Sequence, residues 1–89
     1  MTRDEHLEWA KRRALEYVEA ARYEQVATRY ERVRELLLAA FTSLGSDLAK
    51  HPELQNHKGI DLGMALIMIP DSTYLSSPEV MKHFIEGFQ

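Results

Sequence analysis

No glycine and no proline interrupts the chain between Met1 and Leu44. The stretch is rich in Ala, Leu, Glu, Arg and Lys, the residues that lose least conformational freedom on entering a helix. A chain that starts this way is committed to helix for half its length. Thr2 followed by Glu5 fits a capping box, and Asp4 and Glu5 suit the positive end of a helix, so the first helix is expected to begin near residue 3.

The apolar positions of this segment fall into two series. Leu7, Ala10, Ala14, Tyr17 and Ala21 advance in steps of three and four, and so do Tyr23, Val26, Tyr30, Val33, Leu37, Ala40 and Leu44. The step from Ala21 to Tyr23 is only two, which at ~100° per residue turns the apolar face to nearly the opposite side. Since Ala20, Ala21 and Arg22 contain no helix breaker, the expectation is one continuous or kinked helix over residues 3 to 44. The alternative is a break near Ala21 that folds the chain back as a hairpin. The second series contains an internal echo, RYEQV at 22–26 and RYERV at 29–33. A spacing of seven keeps a seam on one side of a helix, as coiled coils require.

Downstream, Gly45 is expected to end or loosen the helix, though Ser46 to Lys50 can carry it another turn, and Lys50, His51 and Pro52 mark its end. Residues 52–58 read as a polar connector, and a second helix is expected from about Lys58 to Ile69, apolar nearly all round, with Gly59 and Gly63 on one face. Pro70-Asp71-Ser72 is a turn and the region through Ser76 a loop. Ser77 caps a last helix with Pro78 at its first position, and Val80, Met81, Phe84, Ile85 and Phe88 form one stripe. No strand-like alternation occurs. The fold expected is all-α: one domain over residues 1–89, a small helical bundle with one long N-terminal helix and two shorter C-terminal helices. Leu62, Leu66, Phe84 and Ile85 are expected in its core.

Composition narrows the function. With no cysteine there is no disulfide framework, thiolate zinc site or cysteine nucleophile. A net charge of −3 argues against nucleic acid as the main partner. The charged N-terminus is not expected to be a signal peptide, and the longest apolar run, Met64 to Ile69, is far short of the ~20 residues of a membrane span. His51, Glu53 and His57 are the residue types that ligate transition metals, but their spacing fits no known ligand set, and a helix-end and a loop histidine explain them better. His6 and His83 read as surface positions. No Gly-x-Ser-x-Gly elbow, phosphate-binding glycine loop or carboxylate pair set apart from basic neighbours occurs, so neither an enzyme nor a cofactor is expected. Lys11-Arg12-Arg13 is diluted by Glu8, Glu16 and Glu19 and reads as a solvated, salt-bridged face.

The segments DEHLEWAKRRALEY (Asp4 to Tyr17), SDLAKHPELQNH (Ser46 to His57), LGMALIM and FIEGF (Phe84 to Phe88) resemble, in matching order, a family of small uncharacterised proteins of tailed bacteriophages. Those relatives reach a Gly-Asp turn soon after the ALEY segment. Here Ala20-Ala21-Arg22-Tyr23 takes its place and a longer helix follows. The resemblance implies a phage accessory protein of the bacterial cytoplasm and carries no catalytic residue with it. The function expected first is binding of a host protein, for instance to inhibit a defence system such as CRISPR; the alternative is self-association as a structural or assembly component.

For either function, length bears on oligomeric state and favours a dimer. A helix over residues 3–44 would span ~63 Å, whereas a compact domain of this size has a radius of gyration near ~12 Å. Its apolar faces would outrun their cover. A homodimer closing on Tyr23, Val26, Tyr30, Val33 and Leu37 is therefore the expected interface.

Overall fold

The computed structural model describes residues 1–57, 60 and 75–89. Within them the chain is helical and has no strand: α1 spans Arg3–Val26, α2 Tyr30–Leu48, a 3-10 turn Pro52–Leu54 and α3 Pro78–Glu86. The expected helix over 58–69, with Gly59, Gly63, Leu62 and Leu66, lies outside the described residues apart from Ile60, as does the Pro70-Asp71-Ser72 turn.

α1 starts where its local chemistry dictates. The Thr2 hydroxyl accepts from the Glu5 N–H at 3.1 Å, and Glu5 Oε1 accepts from the Thr2 N–H at 3.1 Å, which closes the capping box. The bonds from Thr2, the backbone one foremost, hold the Glu5 carboxyl below its ordinary pKa.

The long N-terminal helix is present as the 24-residue α1, but it does not run on to residue 44. The chain breaks at Ala27-Thr28-Arg29, six residues beyond the discontinuity in its apolar pattern, and folds back as a helical hairpin. The Arg29 N–H donates to the Glu24 carbonyl at 2.9 Å and the Thr28 N–H to the Gln25 carbonyl at 3.0 Å. These are the 6→1 and 5→2 bonds of a Schellman motif, and Thr28 occupies its left-handed position with φ 59°. Two orphan carbonyls of α1 are thereby satisfied. The overriding reason is tertiary. Folding back lets the Val33–Leu48 face of α2 cover the Leu7–Ala21 face of α1, an arrangement that a straight helix denies to a single chain. The longest extent of the molecule is 39 Å, close to the ~36 Å of a 24-residue helix and far from the length of a straight one.

The core follows the first apolar series with one exchange and the second only from Val33 onward. On α1 Leu7, Ala10, Ala14 and Ala21 are buried, but Val18 rather than Tyr17 completes the face, and Tyr17 is exposed. The alanines let α2 approach closely with Val33, Leu37, Phe41, Leu44 and Leu48, all buried. Gly45 does not end α2, which continues to Leu48. Residues 52–57 are more than a polar connector, because Leu54 in the 3-10 turn is fully buried.

α3 runs antiparallel to α1. Glu79 at its start lies 3.5 Å from Arg22, and the Glu86 carbonyl at its end is 2.9 Å from Lys11 Nζ. The Ser77 hydroxyl accepts from the Val80 N–H at 3.3 Å with Pro78 at the first helical position, as expected. Met81 and Ile85 are buried and Phe84 partly so. Phe84 meets Phe41 of α2 at a centroid distance of 5.4 Å, which ties the third helix to the hairpin.

Candidate functional site

Of the five residues expected to form a seam, the structure brings three together and removes two. Tyr23, Val26 and Tyr30 stand at the closed end of the hairpin, 73%, 86% and 64% exposed. Val33 and Leu37 lie one and two turns down α2 in the chain's own core. The five do not share a surface. What remains is an apolar, aromatic tip built around the left-handed Thr28.

The tip is held by the backbone bonds of the turn, by the Thr28 hydroxyl donating to the Ala27 carbonyl at 2.7 Å and by Arg29 bonding Glu24 across the break. Arg29, the N-cap of α2, makes no side-chain capping bond, whereas Ser77 and Thr2 do so for α3 and α1. Beside the turn, Thr28, Arg29, Tyr30, Glu31, Arg32 and Glu35 line a shallow depression of ≈ 500 Å³. The surrounding charges pair locally: Arg22 with Glu19 at 3.3 Å, Arg29 with Glu24 at 3.3 Å and Arg32 with Glu35 at 3.0 Å. Residues 19–35 contain four arginines and four glutamates, so the tip is neutral overall in a protein of net charge −3. A surface of this kind is suited to contact through tyrosine rings and apolar area, with polar phenol tips at the rim. It lacks the excess positive charge that draws phosphates.

A second cluster lies towards the open end. Asp47 is 2% exposed and accepts from Arg13 Nε at 2.6 Å, Lys50 Nζ at 3.1 Å and Ser43 Oγ at 3.4 Å. Burial pushes its carboxyl pKa up, but the bonds and charges of Arg13 and Lys50 outweigh that and hold it below the ordinary carboxylate range. In return Asp47 raises the Arg13 pKa. Arg13 and Lys50 also lie 5.0 and 5.9 Å from the centre of the Trp9 ring. The arrangement braces α1 against α2, with every oxygen of Asp47 committed to a donor.

The Lys11-Arg12-Arg13 face is not simply solvated. Lys11 is 8% exposed, and its ammonium donates to the Glu86 and Phe88 carbonyls, each at 2.9 Å, so it caps the end of α3. His6 is not a free surface residue either, for its Nε2 sits 2.5 Å from the Asp47 carbonyl oxygen. His51 Nδ1 accepts from the Glu53 N–H at 3.1 Å and caps the 3-10 turn, while His57 Nε2 is 2.8 Å from the Gln89 carbonyl. Among the described residues no three His, Cys, Asp or Glu side chains are grouped to hold a metal ion. No helix among them is long and apolar enough to cross a membrane.

Sequence reasoning missed Lys11, His6 and Leu54 as structural residues because their partners lie far along the chain. It missed the break at Ala27-Thr28-Arg29 because threonine is not a residue type that announces a left-handed turn. No protein-family model matches this chain, and neither a curated protein nor a solved structure matches it.

Proposed function

We propose that this chain is a non-enzymatic protein-binding module that engages a partner protein through the hairpin tip at Tyr23, Val26 and Tyr30. The observation that carries the reading is the exposure of these side chains together at one place, when among the described residues only Met1 and Tyr17 of the other large apolar side chains are exposed. Exposed aromatic and aliphatic groups gathered at one place mark interaction surfaces in soluble domains. The neutral, internally paired charge around them favours a protein over a nucleic acid. The resemblance of the terminal and central motifs to tailed-phage proteins supports a phage accessory protein working in the bacterial cytoplasm. In that setting the partner is a host protein, and the specific form of the reading is inhibition of a host defence system such as CRISPR.

Capture on the immobilised protein from lysates of infected and uninfected host cells tests this. A stoichiometric host protein retained by the wild type and lost with Val26→Glu is the expected result. Capture of phage proteins alone would turn the reading to an assembly component, and a host partner indifferent to Val26→Glu would remove the tip from it.

A further inference from the structure

The turn that closes the hairpin is poorly made for its task. Its left-handed position holds Thr28 at φ 59°, where a β-branched residue is a genuine outlier and glycine or asparagine is the usual occupant. Nothing in the flanking sequence resists helix: residues 19–35 contain no glycine, proline or asparagine. The apolar series Tyr23, Val26, Tyr30, Val33, Leu37, Ala40, Leu44 keeps its alternating steps of three and four straight through the turn. That phase has no use in the hairpin, where the break strands its first three members in solvent. It becomes one continuous stripe only if residues 27–29 are helical.

We propose that Ala27–Arg29 is a hinge, and that two copies of this chain exchange helices through it. In the exchanged dimer residues 3–48 form one helix, and α1 of each copy packs on α2 and α3 of the other. Contacts of α1 with α2 and α3, such as Arg13–Asp47 and Lys11–Glu86, then join two chains, and the bonds of the turn itself, from the Arg29 and Thr28 N–H groups to the Glu24 and Gln25 carbonyls, are given up. The only new interface is at the hinge. With the twofold axis at Thr28, Val26 and Tyr30, two residues to either side, come level with each other across the copies. Val26 and Tyr30 thus gain a cover of matching length and chemistry, and the strain at Thr28 is released. Short hinges under strain favour this exchange. The inference does not rest on the partner reading. The exchange buries the surface by which a partner would be held, so the two states exclude one another.

The chain has no native cysteine, so spin labels can be placed at Arg12→Cys and Thr42→Cys, both exposed positions on α1 and α2. In the hairpin these sites flank each other across a helix pair, within ~20 Å including the labels. In a straight helix they are ~45 Å apart. Labelled chain is refolded at high concentration with a large excess of unlabelled chain, the dimer is isolated by size exclusion, and the distance is measured by double electron–electron resonance. The expected result is a dimer with the long intrachain distance, its association constant lowered by about tenfold or more in Thr28→Gly, which relaxes the closed turn in both copies, and raised in Thr28→Ala. A chain that stays monomeric after refolding at the highest concentration, or a dimer that keeps the short distance, overturns the proposal.

Discussion

Arg13 Nε lies 2.6 Å from Asp47 Oδ2, and the two ends of that contact differ: the guanidinium is half-exposed while the carboxylate is buried. The pair joins α1 to α2 across the open end of the hairpin. Arg13→Gln leaves Asp47 with Lys50 and Ser43 but strips its shortest bond, and is expected to cost about 1–3 kcal/mol in chemical denaturation, below the range for a fully buried pair.

The same pair sets an acid limit. Because the folded pKa of Asp47 lies below its unfolded value, the unfolded chain binds the proton more readily, and the stabilisation is full above the unfolded value of ~3.9. It is lost as pH falls from there through the depressed folded value. Wild type minus Arg13→Gln stability should therefore be flat from neutrality to about pH 5 and shrink below that. A difference that grows on acidification would contradict the assignment.

Lys11 donates to two carbonyls that close the end of α3. Lys11→Met keeps the aliphatic stem and leaves both acceptors unmade, at an expected cost of about 1–3 kcal/mol. Amide exchange should quicken in residues 84–88 ahead of α2. Arg12→Met on the exposed neighbour should stay within ~0.5 kcal/mol of wild type.

Gly45 sits inside α2, and a methyl group there would meet the Ile60 Cα at 3.9 Å, an ordinary contact. Gly45→Ala should stabilise the protein by about 0.5–1 kcal/mol through helix propensity. Thr28→Gly should raise the denaturation midpoint of the monomer by relieving the left-handed strain, an effect of about 1 kcal/mol.

What the sequence made legible was whatever a few neighbouring residues decide. Thr2 with Glu5 and Ser77 with Pro78 place two helix starts correctly, because a cap is satisfied within three residues of itself. The buried faces of α1 and α2 follow from their spacing, with Val18 in place of Tyr17 because two phases fit the same alanines. The break at Thr28 was not legible, since its energy comes from α2 covering α1 while the local residues favour helix. The phase change at Ala21 did record it indirectly: Ala21 is the last residue of α1 facing the core, and everything from there to Tyr30 belongs to the tip. Lys11, read as solvated, is buried because its acceptors lie 75 and 77 residues away. For the site, the sequence picked out Tyr23, Val26 and Tyr30 together with Val33 and Leu37, and only the fold separates the exposed three from the buried two.

If Val26 and Tyr30 serve binding rather than folding, replacing them should leave the closed monomer nearly untouched. The direct measurement is the unfolding free energy of the Val26→Glu, Tyr30→Glu double variant by chemical denaturation at dilute, monomeric concentration. A value within ~0.5 kcal/mol of wild type, the usual span for surface substitutions, is the expected result. A loss of about 2 kcal/mol or more, the scale of a truncated core side chain, would show that the tip side chains hold the fold together and would contradict their assignment as a binding surface.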